Sequence, residues 1–443
     1  MRINDNKFFQ WTERRSTYVA AAVMFRALLE WSYIAFVSEH FRYTGFLLEI
    51  TPLKYAESWA LYIVLAAWSP RQLLRVSDYL MTYLFAGLLA PLLVLYAYAD
   101  KDRFALYVVL AGVLLIEVFR RGRSIRFPMV RNGQNLGLFL MMVLAGAVSV
   151  WYVVSGGLAF LNFNLAEVYD YRRAAAEVTG GGIMSYVNAW APKVAGPALL
   201  AYFLWKKLYL FAVGVLALHV FWFGVSAHKS VLFYPFLVVF LWVWFRRTRA
   251  LSFIIFGMGG AVGSSLAWYF ITGDTFLGSL FIRRVFFVIA SNTFDYYEFF
   301  SHNPRVFWSN SIASGFLQYP YHVNPALLIG QWRDTEAHVN NSFLSTGYMH
   351  AGVMGVMVYG LVCGLLFRLF DSIVRQGIPL WVGVAVLVVP AQALILSADL
   401  PTALLTHGIG LAVLVLFLLR DPDARPLPSS VRTVGNRVVS RQS

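Results

Sequence analysis

Charged side chains are scarce: Asp, Glu, Lys and Arg together make up 13% of the 443 residues, about half the ~25% of an ordinary soluble domain. A chain with so little surface charge, and with 59% apolar residues, requires lipid as its solvent. Cysteine is nearly absent. The single Cys363 lies inside an apolar run, which excludes a disulfide framework and a cysteine-based metal site. Acids are outnumbered, 22 against 36 Lys and Arg. The basic residues fall in short clusters between apolar runs, such as Arg120, Arg121, Arg123 and Arg126. That is the pattern of loops beside anionic lipid, and it argues against nucleic acid, which calls for a continuous basic face. Several motifs are missing as well: GxxxxGK[ST], HExxH, and an Asp-x-Asp pair in an outer loop. Their absence speaks against a nucleotide-driven pump and a metal-dependent transferase; no cofactor is expected.

What is present is a series of apolar runs, each near the ~20 residues that cross a bilayer. Spans are predicted near 17–37, 55–70, 79–98, 104–119, 135–155, 186–205, 208–225, 230–245, 251–271, 343–367, 379–397 and 402–419. The fold class is therefore all-α: a polytopic helical integral membrane protein with about a dozen spans. The first 16 residues are polar and basic, and no small-residue cleavage site follows the first apolar run. That run reads as a retained anchor. Gly257, Gly259, Gly260 and Gly263 mark close helix packing.

Orientation follows from the basic residues. With the N-terminus inside, 23 Lys and Arg fall on the cytoplasmic side and 11 on the other, as the positive-inside rule requires. Residues 1–16 and 420–443 are then cytoplasmic. The long outer segments are 38–54, 156–185 and the large loop 272–342, which precedes the tenth span. The outer face, with its long segments, is the expected working face.

The 11 basic residues on the disfavoured side point to function. Arg172 and Arg173 follow Asp170 in the second long segment. Lys229 sits in a tight turn, Ser226-Ala227-His228-Lys229-Ser230. Arg283 and Arg284 open the large loop, and Arg333 heads Arg333-Asp334-Thr335-Glu336-Ala337-His338-Val339-Asn340-Asn341. Guanidinium groups bind phosphate bidentately and lysine acts as a compact charge. Convergent cations at the interface suit a lipid-linked diphosphate whose tail stays in the bilayer; the plainer alternative is arginine snorkelling to headgroups. Glu336 and His338 alternate, so an extended segment would put both on one face, where either can take up a proton. Outer-loop aromatics such as Tyr296, Tyr297, Trp308 and Trp332 offer faces for sugar stacking or an interface belt.

In order and topology these elements resemble the Wzy-type O-antigen polymerases, the oligosaccharide repeat-unit polymerases. The elements are Tyr169-Asp170-Tyr171-Arg172, His228-Lys229-Ser230, Arg283-Arg284, and Asn340-Asn341-Ser342-Phe343-Leu344 leading to Gly352-Val353-Met354-Gly355. The resemblance covers roughly residues 160–370. It implies a periplasmic glycosyltransferase that moves a growing glycan from undecaprenyl diphosphate onto the non-reducing end of a new lipid-linked repeat unit, without metal. Arg172, Lys229 and Arg283 or Arg284 would neutralise the diphosphate, with Arg173, Arg333 and Asp170 beside the substrate. Glu336 or His338 would activate the hydroxyl, and Asn340 and Asn341 would position sugar. Implied partners are the undecaprenyl-diphosphate-linked oligosaccharide, membrane lipids and a chain-length regulator protein. The related O-antigen ligases, with a lipid A–core acceptor, usually carry His-Asn-x-x-Leu at the re-entry point; here Asn340 takes the histidine's place and His338 lies two residues earlier. A flippase or transporter of lipid-linked sugars stays open, although transporters place more charge inside their spans than Arg26, Glu30, Glu117 and Lys193 provide.

Overall fold

In lipid every backbone N–H and C=O must be satisfied within the protein, which leaves helices as the way to use these apolar runs. The computed structural model describes residues 7–163 and 182–421. Among them there is no strand, only two isolated bridges, Glu49 to Ala99 and Gln72 to Ala250. The protein is an all-α polytopic membrane protein. Its helices are α1 (Arg15–His40), α2 (Pro52–Trp68), α3 (Val76–Tyr98), α4 (Arg103–Arg120), α5 (Gly133–Val154), α6 (184–205), α7 (Tyr209–Ser226), α8 (Lys229–Phe245), α9 (Ser252–Thr272), α10 (Phe276–His302), α11 (Pro325–Trp332), α12 (Phe343–Val374), α13 (Leu380–Leu396) and α14 (Leu400–Leu418). Eight are long and apolar enough to cross a membrane, with α8 and α13 shorter apolar helices.

The helix ends gather at two opposite faces. At the basic end, Arg15 donates to the Ser69 carbonyl, Glu13 accepts from Gln72 and Thr248, Arg368 donates to the Arg123 carbonyl, and Arg420 reaches the Pro128 carbonyl. At the other end, His40 meets Tyr269, Thr51 and Lys54 meet Asp100, and the Asn162 amide donates to the Gly224 carbonyl. Helices α1 to α9, the long arm of α12, α13 and α14 run between these ends. α3 is the hub, with 94% of its apolar window buried.

α10 corrects the reading of 272–342 as a loop. It is 27 residues long and apolar enough to span, yet both of its ends lie at the same face. Gly278 packs on Phe36 near the end of α1, and Tyr297 stacks on Tyr348, which also meets Phe104 at the start of α4. The helix lies across the outer end of the bundle.

α12 departs from a simple span too. Its backbone leaves helical geometry at Ala351 and Gly352, where Gly352 has φ +60°, a conformation that costs an L side chain energy. The short arm 343–350 folds back on the long arm 353–374: a Cβ on Gly355 would sit 2.0 Å from the Gly347 carbonyl oxygen. The Leu344 side chain comes against Gly112, nine residues into α4, or about 14 Å below its start. Segment 339–344 therefore plunges deep into the bundle before the chain turns back. Gly355→Ala should open this hairpin at about 1–3 kcal/mol, the usual cost of overpacking, read as a lower midpoint of thermal unfolding in detergent.

Close helix packing falls elsewhere than the sequence suggested. Gly257 and Gly260 have open space where a Cβ would go, and Gly259 and Gly263 make only ordinary contacts with Leu28. The tight seam is α4 against α12, where Cβ atoms on Gly360 and Gly364 would come within 2.6 Å of the Gly112 oxygen and 2.8 Å of the Phe119 Cβ.

Buried polar groups are arranged as closed sets. Trp308 donates its backbone N–H to His350 Nδ1 (3.0 Å), so the ring carries its proton on Nε2 and donates to Asp399 (2.9 Å). Tyr359 donates to the other Asp399 oxygen (2.8 Å) and accepts from Trp308 Nε1 (2.7 Å). Burial pushes the Asp399 carboxyl up, but the His350 and Tyr359 hydrogen bonds outweigh it and hold the group below the usual carboxylate range. This set pins the top of the α12 hairpin to the start of α14. At the basic end Arg120 pairs with Asp78 (2.9 Å) and Glu117 (2.5 Å), its side chain 3% exposed. Arg120→Ala leaves buried Asp78 without its cation and Glu117 with only the exposed Arg121, and about 3–5 kcal/mol of stability should be lost. The thermal midpoint of the purified variant reads this directly.

Candidate functional site

α10 carries the site because of an irregularity. Residues Ser279–Phe287 form a π-helical stretch, a wider coil that changes the register of side chains and is frequent at functional positions. The adjacent Arg283 and Arg284 in this stretch line different cavities.

The Arg283 cavity, roughly 590 Å³, lies between α10, the turn after α1 and the returning segment 333–339; its wall includes Tyr43, Phe46, Arg283, Asn292, Arg333 and His338. Three residues singled out in the sequence thus converge, although 55 positions separate the first from the last. The Arg283 guanidinium stacks over the Phe41 ring at 4.4 Å, its Nε buried and without a hydrogen-bond partner. No carboxylate pairs with it among the described residues; Asp334 is the one acid on the wall.

Arg333 is engaged differently. It pairs with Asp295 at 3.0 Å and donates to Asn292 Oδ1 (3.1 Å) and Ser291 Oγ (3.0 Å). Its charge is matched within the protein, so it fastens the returning segment to α10 while its head borders the cavity. The neighbouring backbone is held as firmly. Asn292 donates to the Asn340 carbonyl (2.9 Å), Tyr296 to the Val339 carbonyl (2.9 Å), and the Val339 amide to the Ala326 carbonyl (2.9 Å).

The other expected residues sort as follows. His338 is exposed to the cavity, whereas Glu336 is exposed but off its wall. Ala337, His338 and Val339 all line the cavity, so the segment lacks the regular alternation that would have put both on one face. Asn341 is 2% exposed; its amide group donates to the Asn292 carbonyl (3.2 Å) and its oxygen accepts from the Ser342 amide (2.8 Å). It holds the plunging segment and does not face the cavity. Asn340 is exposed beside it. Lys229 heads α8, next to Ser230 and His228 on the wall of another cavity. Asp170, Arg172 and Arg173 lie outside the described residues. Ser291, Asn292 and Asp295 were not legible as a set: on α10 they read as ordinary loop polar residues, and only the ion pair with Arg333 reveals them. Among the described residues, no three of His, Cys, Asp and Glu converge as a metal site.

Comparison of the chain with protein-family models, curated proteins and solved structures finds no match.

Proposed function

We propose that this protein is a membrane glycosyltransferase that polymerises undecaprenyl-diphosphate-linked oligosaccharide repeat units into O-antigen or a related polysaccharide. The carrying observation is the Arg283 cavity: an unmatched guanidinium and the His338 imidazole on one wall, at one end of a lipid-embedded bundle. The lining end is the one poorer in Lys and Arg, which the positive-inside rule assigns to the periplasm of an inner-membrane protein.

In this reading the acceptor hydroxyl gives its proton to His338 as its oxygen attacks the anomeric carbon of the donor. The bond from that carbon to the diphosphate oxygen breaks, and its electron pair leaves with undecaprenyl diphosphate. Negative charge grows on the departing oxygen, where Arg283 meets it in a site of fixed donors. Apart from Lys193, the charges that the sequence placed inside the spans are paired, which supports chemistry at the interface over passage through the middle. Arg26 is fully buried but matched by Glu30 at 2.7 Å, and Glu117 is matched by Arg120.

The test is a reconstituted assay with purified lipid-linked repeat units, with and without a lipid A–core acceptor. Longer lipid-linked chains are the expected product. Transfer to lipid A–core instead identifies a ligase, and unchanged lipid-linked sugar that moves between leaflets identifies a flippase; either overturns the proposal.

A further inference from the structure

Among the charges within the spans, half-buried Lys193 stands apart. It lies in a second π-helical turn, Ala191–Ala195 of α6, 13 residues from Lys206 at the basic end, or about 20 Å up the helix. Among the described residues, no carboxylate pairs with it. Its Nζ is 3.1 Å from Nδ1 of His407, in the break within α14. An imidazole that accepts at Nδ1 keeps its proton on Nε2, so His407 adds a donor. An ammonium at this depth without a counter-charge is costly and marks a functional site by default.

Around it is a cavity of roughly 400 Å³ whose wall includes Lys193, Arg284, His407, Gln392, Ser230 and Tyr234. Every one of these can donate a hydrogen bond, and among the described residues no carboxylate lines the cavity. Arg284 makes no ion pair among the described residues and is exposed. A smaller cavity of roughly 260 Å³ shares Lys193, Ser230 and Tyr234, so the lysine sits where two hollows meet. The remaining wall is mostly apolar, with Val285, Ile289, Val389, Ala393 and Leu396 beside Tyr83 and Ser397.

We infer that the Lys193–Arg284–His407 cavity is a second anion site, taking the phosphate or diphosphate group of a ligand that enters the bundle beside α10. Two cations and donor hydroxyls around an acid-free hollow are the complement of phosphate oxygens. The apolar wall suits the first carbons of a lipid tail. The site lies on a different cavity from Arg283, and it does not depend on glycosyl transfer.

The experiment uses the full chain in nanodiscs of phosphatidylcholine. One probe is radiolabelled undecaprenyl phosphate mixed into the disc; the other is sodium diphosphate in the buffer. Lys193→Gln and Arg284→Gln should each weaken one saturable component about ten- to hundredfold, the loss of one charged contact. Arg283→Gln should leave that component in place. If the component follows the lipid probe, the ligand is a headgroup; if diphosphate alone fills it with the same sensitivity to both variants, the ligand is free in solution. Should Lys193→Gln fail to fold, the exposed Arg284 decides the matter. Wild-type binding of both probes by both variants, or no saturable binding at all, overturns the site. Binding sensitive to Arg283→Gln alone overturns it also, and leaves the Arg283 reading standing.

Discussion

His338→Ala is expected to lower turnover of lipid-linked repeat units by about 10²- to 10⁴-fold, the usual loss when a general base is removed, while the protein keeps its thermal midpoint. The separation of the two effects rests on how the segment is held. The backbone beside His338 is fixed by the Val339 amide and carbonyl, through Ala326 and Tyr296, and by the Asn340 carbonyl through Asn292. None of these bonds uses the imidazole. Truncating the ring therefore removes a proton acceptor from the cavity wall without loosening the wall. Glu336→Gln is the internal control: the carboxylate is off the wall, and its loss should leave turnover unchanged. Equal turnover in wild type and His338→Ala sets the proton acceptor elsewhere.

Much of this fold is legible in the sequence because lipid imposes one solution on an apolar run of the right length. The helical stretches 76–98 and 133–154, for example, match runs predicted at 79–98 and 135–155. The two departures share a cause. Hydropathy reports that a segment is apolar, not which way it points. The stretch 343–367 is mostly apolar despite Ser345, Thr346 and His350, and its reversal falls at Gly352, a position needing positive φ. α10 is apolar because it is packed on α1, α3 and the α12 hairpin, and it lies across them. The site was half legible for a similar reason. Composition and topology picked out Arg283, Arg333 and His338 individually, but whether a cation is matched depends on partners remote in sequence. Asp295 lies 38 positions before Arg333 and takes up its charge. Asn341, read as a sugar ligand, proved to be needed where the chain plunges among buried groups, each of which must be hydrogen-bonded.

Arg283→Gln should cost about 10²- to 10³-fold in kcat, the range seen when one donor to a developing negative charge is removed. Glutamine keeps a polar group of similar reach but not the charge. The effect should fall on kcat more than on KM, because the departing oxygen carries its full charge only as the bond to the sugar breaks. Arg283→Lys should recover part of the loss, since a point charge replaces the planar fork, but it gives up the stacking over Phe41 at 4.4 Å. Arg333→Gln separates the two arginines: with Asp295, Asn292 and Ser291 all bound to it, its loss should lower the thermal midpoint, which Arg283→Gln leaves alone. A strain carrying Arg283→Gln should make lipid-linked single units and little long polymer on a gel of extracted polysaccharide. If the variant raises KM tenfold and leaves kcat intact, Arg283 binds the diphosphate equally before and during bond breaking. The charge that drives departure must then come from another residue.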